Sequence, residues 1–427
     1  MAINIEKLHD LFIQCSRAFT DTRKPIKDGM FFALSGENFN GNKFAKAALD
    51  LGAKFAVIDD SDFQLDDKYI LVDNTLETLQ NLAKHHRSLF KKPVIGLTGS
   101  NGKTTTKELI HAVLSTSFKV ATTKGNFNNH IGVPLTLLSI HPEDDIAVIE
   151  MGANHVGEIA VLCEIAMPTH GFITNIGKAH LGGFGGPEGV LRGKTELFDF
   201  LRKHDGKVFI NSQDAVLSNM GKRFKKPIYF PSENDYLNVE LIDVDPFVVF
   251  KGESGKVIKT QLPGVYNFSN IATALCIAKY FNVPANEAES AIANYSPEMN
   301  RSQIIKRGTN TVILDAYNAN PDSMKSALEN FAMMKADYKV VILGDMLELG
   351  QHATEEHQKL GKLVASINPD EAIFCGELTA ISHNEVKNSR HFSSSEALLK
   401  SFKIDSLSNA LVLIKGSRGM ALERLIQ

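Results

Sequence analysis

Val94-Ile95-Gly96-Leu97-Thr98-Gly99-Ser100-Asn101-Gly102-Lys103-Thr104-Thr105-Thr106 decides how the rest of the chain is read. Apolar residues end in a glycine-rich turn. Gly-Lys-Thr then opens a segment whose apolar positions, Leu109, Ile110, Val113 and Leu114, recur at helical spacing. Strand, glycine turn and helix in that order are the context of a phosphate-binding P-loop. Glycines let backbone N–H groups curl around anionic oxygens, and the helix N-terminus adds its positive dipole end. Gly99, Ser100, Asn101, Gly102 and Thr105 are therefore expected around the phosphates of a nucleoside triphosphate. Lys103 is expected to reach the β- and γ-phosphates, and the Thr104 hydroxyl to ligate Mg²⁺. The first glycine of the usual pattern falls on Leu97, so the loop reads G-x-x-G-x-x-G-K-T. A chance Gly-Lys-Thr in an ordinary turn does not account for the strand and helix around it. The stretch predicts a nucleoside triphosphate site.

At 427 residues the chain is too long for one ordinary core and suggests two or three domains. Its net charge of −3 offers no global basic surface, which argues against nucleic acid as a partner. Cys15, Cys163, Cys276 and Cys375 lie far apart, with no C-x-x-C, and read as buried thiols of a reducing compartment. Residues 1–10 lack a signal-peptide apolar core, and no apolar run approaches the roughly 18 residues of a membrane span. The expectation is a cytoplasmic protein without membrane insertion.

Short apolar runs alternate with amphipathic helical patterns, which argues for α/β layering. Residues 1–90 carry strand candidates at 30–34, 55–58 and 69–72, then a helical stripe (Leu76, Leu79, Leu82, Ala83) that stops at Lys91-Lys92-Pro93. Residues 91–299 hold the P-loop strand, runs at 146–149, 172–176 and 208–210, a β-rich stretch at 228–262 and a helix over 267–280. Residues 300–427 show runs at 312–314, 340–343, 372–374 and 411–414, each apolar on both faces as in a buried parallel strand. Each is followed at once by small or polar residues, and ligands of open α/β sheets bind at such strand ends. A second doubly wound domain facing the P-loop across a cleft is expected.

Several residues at these strand ends suit chemistry. Glu150 directly follows an apolar run, where a carboxylate beside a P-loop partners Mg²⁺; a solvent-facing strand-end glutamate is the alternative. His180, in Asn175-Ile176-Gly177-Lys178-Ala179-His180, reads equally as a functional group and as a hydrogen-bonded loop histidine. Lys194 sits in an amphipathic segment, and its spacing says only that it is a helix lysine, most often a solvated charge. Asn267 reads as an N-cap and Asn270 as a first-turn residue, with capping or adenine recognition open for the latter. Turn chemistry alone does not explain Asp315, Tyr317, Asn318 and Asn320 together before Pro321. Lys415, Ser417 and Arg418 follow the last strand and suggest capture of a carboxylate or phosphate, with a solvated loop as the alternative.

These segments, in this order, resemble the Mur ligases, ATP-dependent amide-forming enzymes of peptidoglycan precursor synthesis, over essentially the whole chain. The motifs are T-G-S-N-G-K-T-T (98–105), E-M-G-A (150–153), N-I-G-x-A-H (175–180), G-K-T-E (193–196) and Y-N-F-S-N (266–270). More discriminating are D-T-R (21–23), F-F-A-L-S-G-E-N-F-N-G (31–41), G-N-F-N-N-H-I-G-V-P (125–134), D-A-Y-N-A-N-P-D-S-M (315–324), L-G-D-M-L-E-L-G (343–350) and K-G-S-R-G-M (415–420). Within the family they point to addition of D-alanyl-D-alanine to UDP-N-acetylmuramoyl-tripeptide.

The resemblance implies an α/β protein of three domains: a small N-terminal α/β domain for the UDP-sugar, a central P-loop ATPase domain with a parallel sheet, and a C-terminal Rossmann-like domain. A monomer is expected. By motif, Thr104 and Glu150 would hold one Mg²⁺ and His180 would ligate a second. Lys194 matches the family lysine that takes up CO₂ as a carbamate metal ligand. Asn270 would contact adenine, Asp315 ribose and Arg301 the γ-phosphate. Thr22, Arg23, Ser35 and Gly36 would bind the UDP end, and Asn126, Asn128 and Asn129 the muramoyl-peptide. Asn318, Asn320, Lys415, Ser417 and Arg418 would complete the substrate side. Asn300 replaces a common glycine before Arg301, and asparagine tolerates the left-handed backbone best among the others. Asn40-Gly41-Asn42 replaces a common Asp-Gly-His. The implied reaction runs through an acyl phosphate, with no residue standing out as general base. Another ligase of the superfamily, such as an earlier Mur enzyme or folylpolyglutamate synthetase, is the nearest rival, and a non-catalytic ATP switch the rival of another class.

Overall fold

A computed structural model describes residues 3–244, 246–297 and 300–426. Among these the strands form four sheets, distributed over three domains. The expected boundary at 299 falls on a residue outside those described.

The first sheet pairs Ala18–Phe19, Met30–Phe32, Phe55–Ile58 and Tyr69–Leu71 in sequence order, all parallel. Ala18–Phe19 gave no signal in the sequence because two residues carry no periodicity. The helix Thr75–Leu89 follows, capped by the Asn74 side chain on the Glu77 amide. Its Arg87 is buried and donates to the carbonyls of Ala166, Phe90 and Met167 at 2.8, 2.5 and 2.7 Å. A guanidinium stripped of water needs such partners, and burial lowers its pKa to about 10. Two of these acceptors, Ala166 and Met167, fasten the first domain to the second.

The central sheet is fully parallel. Its order is Ile228–Phe230, Lys207–Asn211, His170–Ile173, Val94–Thr98, Ile146–Glu150, Val120–Thr122. The P-loop strand is thus central. Leu97, where the usual motif begins with glycine, is a buried strand residue that packs into the core. The helix Lys103–Leu114 buries Leu109, Ile110, Val113 and Leu114, as its spacing predicts. It packs on the helix Tyr266–Tyr280, whose buried alanines 272, 274 and 278 permit close approach. An antiparallel sheet, Glu240–Val244, Phe247–Lys251 and Val257–Pro263, covers this side. The run expected at 172–176 leaves the sheet after Ile173 because Thr174 and Asn175 turn to hold the P-loop.

The third domain orders its strands Gln303–Arg307, Asn310–Asp315, Ala410–Lys415, Tyr338–Gly344, Glu371–Cys375, Arg390–Phe392. Only the first pair is antiparallel. The four expected runs are the four inner parallel strands. The last strand lies between the two earlier ones, so the ends of Asn310–Asp315 and Ala410–Lys415 open side by side toward the P-loop.

Burial also makes stability depend on pH. His170 shares hydrogen bonds with Thr169 Oγ1 and Tyr280 OH at 2.9 and 3.3 Å, and burial lowers its pKa to about 4, helped by Lys207. His86, which shares bonds with His9 and the Ile140 carbonyl, and His9 itself are lowered by burial too. In the unfolded chain these rings take a proton near their ordinary value of about 6.5. Folding therefore keeps them neutral, and the stability they contribute is complete above that pH and lost as pH falls. Melting temperature is expected to be level above about pH 7 and to drop toward pH 4, with His170 contributing roughly 3 kcal/mol. His170→Gln, melted across the same range, should flatten part of that slope; an unchanged slope would count against the assignment.

Candidate active site

The P-loop is short because glycine geometry allows it. Gly99 has φ +148° and Gly102 φ +79°, both unfavourable for side chains. A Cβ on Gly99 would collide with the Thr174 hydroxyl, and one on Gly102 would lie 2.6 Å from Asn270 Oδ1. The segment after His170–Ile173 grips the loop. Asn175 accepts from the Asn101 amide and donates to its carbonyl, both at 3.0 Å, and Thr174 Oγ1 donates to the same carbonyl at 2.6 Å.

These elements open on a cavity of about 640 Å³ between the second and third domains. Of the expected residues, Ser100, Asn101, Gly102, Lys103, Thr104, Thr105, Asn126, Asn128, Asn129, Glu150, His180, Asn270, Arg301, Asp315, Asn318, Asn320 and Lys415 line it. Gly99 lies behind, its carbonyl accepting from Lys103 Nζ at 2.7 Å. Burial lowers the Lys103 pKa; Glu150 opposes this and Arg301 adds to it.

Glu150 ends its strand fully buried. Its Oε1 accepts from Thr104 Oγ1 at 3.2 Å and Asn128 Nδ2 at 2.8 Å, while its Oε2 is buried with no hydrogen-bond partner. A buried carboxylate oxygen without a partner is costly unless a cation completes it. Hydroxyl and carboxylate are hard oxygen donors of the kind Mg²⁺ takes, so this pair fits the implied ion. No cluster of three or more His, Cys, Asp or Glu suited to a metal occurs among the described residues.

Lys194 departs from the solvated helix lysine that its spacing suggests. It is fully buried, with Nζ 3.3 Å from the Ala153 carbonyl and over the Phe184 ring at 5.0 Å. Burial, then the charge of Lys103, pushes its amine well below the ordinary lysine value, with Glu158 and Glu196 opposing. Lys194 shares a face with the buried Val190, Leu197 and Leu201 of Pro187–Lys203. That shared face was the available signal.

Asn267 is not the N-cap. The helix begins at Tyr266, and Asn267 donates back to the Pro263 carbonyl at 2.7 Å. It thereby holds Asn270, whose amide donates to Asn267 Oδ1 at 2.9 Å and accepts from Thr106 Oγ1 at 3.0 Å. Asn300 adopts φ +56°, the left-handed backbone expected of it. Arg301 stacks on Tyr317 at 3.6 Å, its Nε buried without a partner, and Arg418 approaches the same ring at 5.1 Å. Sequence reasoning gave Tyr317 no role; a ring between two arginines announces itself only in three dimensions.

Lys415 is not a free cation. It is buried and pairs with Asp315 Oδ2 at 2.5 Å, so it holds Asp315 at the cavity wall. Asp315 Oδ1 also accepts from the Ser302 amide at 3.1 Å. Ser417 is buried, accepting from the Leu347 amide at 2.9 Å, and Arg418 is exposed; neither lines the cavity. Asn129 caps a turn through the amides of Ile131 and Gly132. Asn320 caps Pro321–Met333 and donates to Asn101 Oδ1 at 2.7 Å, joining the third domain to the P-loop. His180 Nδ1 lies 2.5 Å from Glu348 of the third domain.

Thr22, Arg23, Ser35 and Gly36 stand apart from this cavity in the first domain. Arg23 pairs with Asp21 at 2.9 Å on the surface, Ser35 Oγ accepts from the Gly41 amide at 3.1 Å, and Gly36 bridges Phe39.

With this geometry in hand, comparison with known proteins is specific. A model of the Mur ligase middle domain matches residues 97–278, and one of the Mur ligase glutamate ligase domain matches 300–418. The UDP-N-acetylmuramoyl-tripeptide–D-alanyl-D-alanine ligase of Bacillus subtilis (strain 168) is 35% identical over 420 residues, covering 96% of this chain and 92% of its own. A crystal structure of MurF from Acinetobacter baumannii superposes with a TM-score of 0.86 at 28% identity, covering 100% of this chain and 98% of the other. MurF ligase from Thermotoga maritima in complex with ADP gives 0.83 at 25% identity, covering 97% of each chain. A cavity built where the expected motifs converge and full-length relatives of one kind lead to one assignment: the chain belongs to the Mur ligase family, with the MurF ligases.

Proposed function

We propose that this protein joins D-alanyl-D-alanine to UDP-N-acetylmuramoyl-tripeptide at the expense of ATP, in cytoplasmic peptidoglycan precursor synthesis. The observation that carries this reading is the single cavity in which the P-loop and Glu150 face Arg301, Asp315 and Asn318 of the third domain. A site between two domains suits a reaction that must bring nucleotide, acid and amine together.

The peptide carboxylate attacks the γ-phosphorus, the bond to the β-phosphate oxygen breaks and ADP leaves. The amine of the dipeptide then attacks the acyl carbon, loses its proton and expels phosphate, leaving an amide. Lys103 and Arg301 neutralise charge on the transferring group, and stacking of its guanidinium on the Tyr317 ring keeps Arg301 oriented. Thr104 and Glu150 would hold Mg²⁺, with His180 and a modified Lys194 at a second ion; the metal supplies charge neutralisation for two anions that otherwise repel. On Lys194 the proposed modification is addition of the neutral amine to CO₂, giving a carbamate and a released proton. The buried amine supports this, since only the unprotonated form is a nucleophile. Asn270 would face adenine and Asp315 ribose. The UDP end would lie in the first domain near Thr22, Arg23, Ser35 and Gly36, with the peptide passing Asn126, Asn128 and Asn129 toward the cavity. Enclosure by the third domain keeps water from the acyl phosphate. Domain boundaries near 90 and 299 fit the sheets, and no described helix is long and apolar enough to cross a membrane.

Phosphate release by pure protein, with mass spectrometry of the product, tests this. Release and a new amide are expected only with UDP-N-acetylmuramoyl-tripeptide and D-alanyl-D-alanine together. A nucleotide switch would give no amide, and release with a folate and glutamate would overturn the assignment.

A further inference from the structure

His180 and Glu348 meet across the domain interface in an arrangement that no part of the proposed reaction uses. His180 immediately precedes the short helix Leu181–Phe184 of the second domain. Glu348 follows the strand Tyr338–Gly344 of the third. Nδ1 and Oε2 are 2.5 Å apart, a close contact in which Nδ1 makes no hydrogen bond. Glu348 grips the same segment a second time, its carbonyl accepting from the Gly182 amide at 3.1 Å. The backbones touch at two glycines: a Cβ on Gly350 would lie 2.9 Å from Gly182 Cα, and one on Gly182 would lie 3.1 Å from Gly350 N. Both partners hold left-handed backbones, His180 at φ +52° and Glu348 at φ +67°. Non-glycine residues keep such conformations only where their surroundings over-determine them.

We propose that Glu348 is a positioning residue for His180: its carboxylate, set against Nδ1, favours the tautomer that keeps the proton on Nδ1 and leaves Nε2 free for the second metal ion. This rests on the reading of His180 as a ligand of that ion. Histidine ligands commonly give their other ring N–H to a carboxylate, and losing that partner costs 10–100-fold in metal affinity. Here the carboxylate comes from a different domain. The second ion's site is therefore complete only when the third domain has docked, so metal binding reports closure. The interface has other ties that do not touch His180: Lys178 pairs with Glu356 at 2.9 Å, and its amide donates to Asp322 at 2.6 Å. They separate orientation of the ring from docking of the domain.

The test uses the full chain with a non-hydrolysable ATP analogue and Mn²⁺ in place of Mg²⁺, with free Mn²⁺ read by electron paramagnetic resonance. Glu348→Ala is expected to weaken the second ion by about 10–100-fold, as His180→Ala does, and the double variant to be no weaker than His180→Ala alone. Glu348→Gln, which keeps an acceptor for Nδ1–H, should recover part of the loss and serves if the alanine variant does not fold. Lys178→Ala should leave the second ion's affinity near that of the unaltered protein. Unaltered affinity in Glu348→Ala beside a loss in His180→Ala overturns the positioning role and leaves His180 as a ligand. An equal loss in Lys178→Ala also overturns it, since docking alone would then explain the effect. Unaltered affinity in His180→Ala refutes the ligand reading beneath it.

Discussion

Replacing Lys103 with alanine is expected to lower amide formation by about 10³-fold while leaving the protein folded. The side chain donates only to the carbonyls of Gly99 and Ser100, at 2.7 and 3.3 Å, so its loss exposes no apolar surface and breaks no domain contact. Its contribution lies in charge. Two like unit charges 4 Å apart repel by about 4 kcal/mol at an effective dielectric near 20, and a carboxylate approaching a triphosphate meets more than one such pair. Burial lowers the Lys103 pKa, and phosphate oxygens would restore the proton because an adjacent anion favours the cation. Nucleotide affinity should therefore fall together with turnover. Lys103→Arg should not restore the rate, since its planar fork is too broad for a loop whose Gly99 and Gly102 already admit no Cβ. Calorimetric titration of nucleotide, phosphate release and a melting curve on one preparation decide the matter. Undiminished turnover with an unchanged melt removes the phosphate role of the loop.

How far the sequence could be read depended on whether a feature is local. The P-loop was legible because strand, glycines and helix are contiguous, and the four inner strands of the third domain because each is apolar on both faces. The antiparallel strand Gln303–Arg307 was not, since its pattern is only half buried. The extra turn of strand expected at 174–176 failed for a tertiary reason: those polar groups are spent on Asn101. Lys415 looked like a free cation until the register brought it beside Asp315, one hundred residues earlier in the chain. Tyr317 between two arginines, and Glu348 against His180, depend on one domain meeting another. No local pattern encodes such meetings. Lys194 stands between these cases: the helix was legible, its burial was not, and the carbamate came only through resemblance.

That lysine carries the second large effect. Lys194→Ala is expected to lower turnover by about 10²–10³-fold, and added formate or acetate to return part of it. A charged ammonium enclosed by Phe184, the Ala153 carbonyl and nearby Lys103 is disfavoured, which favours the unprotonated amine that adds CO₂. The product would be an anion at the end of a long side chain, a carboxylate-like ligand for the proposed second metal ion. Truncation to alanine leaves a hole the size of the lost arm, and a small free carboxylate can enter it and offer the same oxygens. Lys194→Arg fills the hole with a permanent cation and should respond to no acid. In the unaltered protein, ¹³C-bicarbonate should give a carbamate carbon resonance that Lys194→Ala lacks. If that resonance is absent and Lys194→Gln turns over like the unaltered protein, the buried amine is a packing element and the second ion must find its ligand elsewhere.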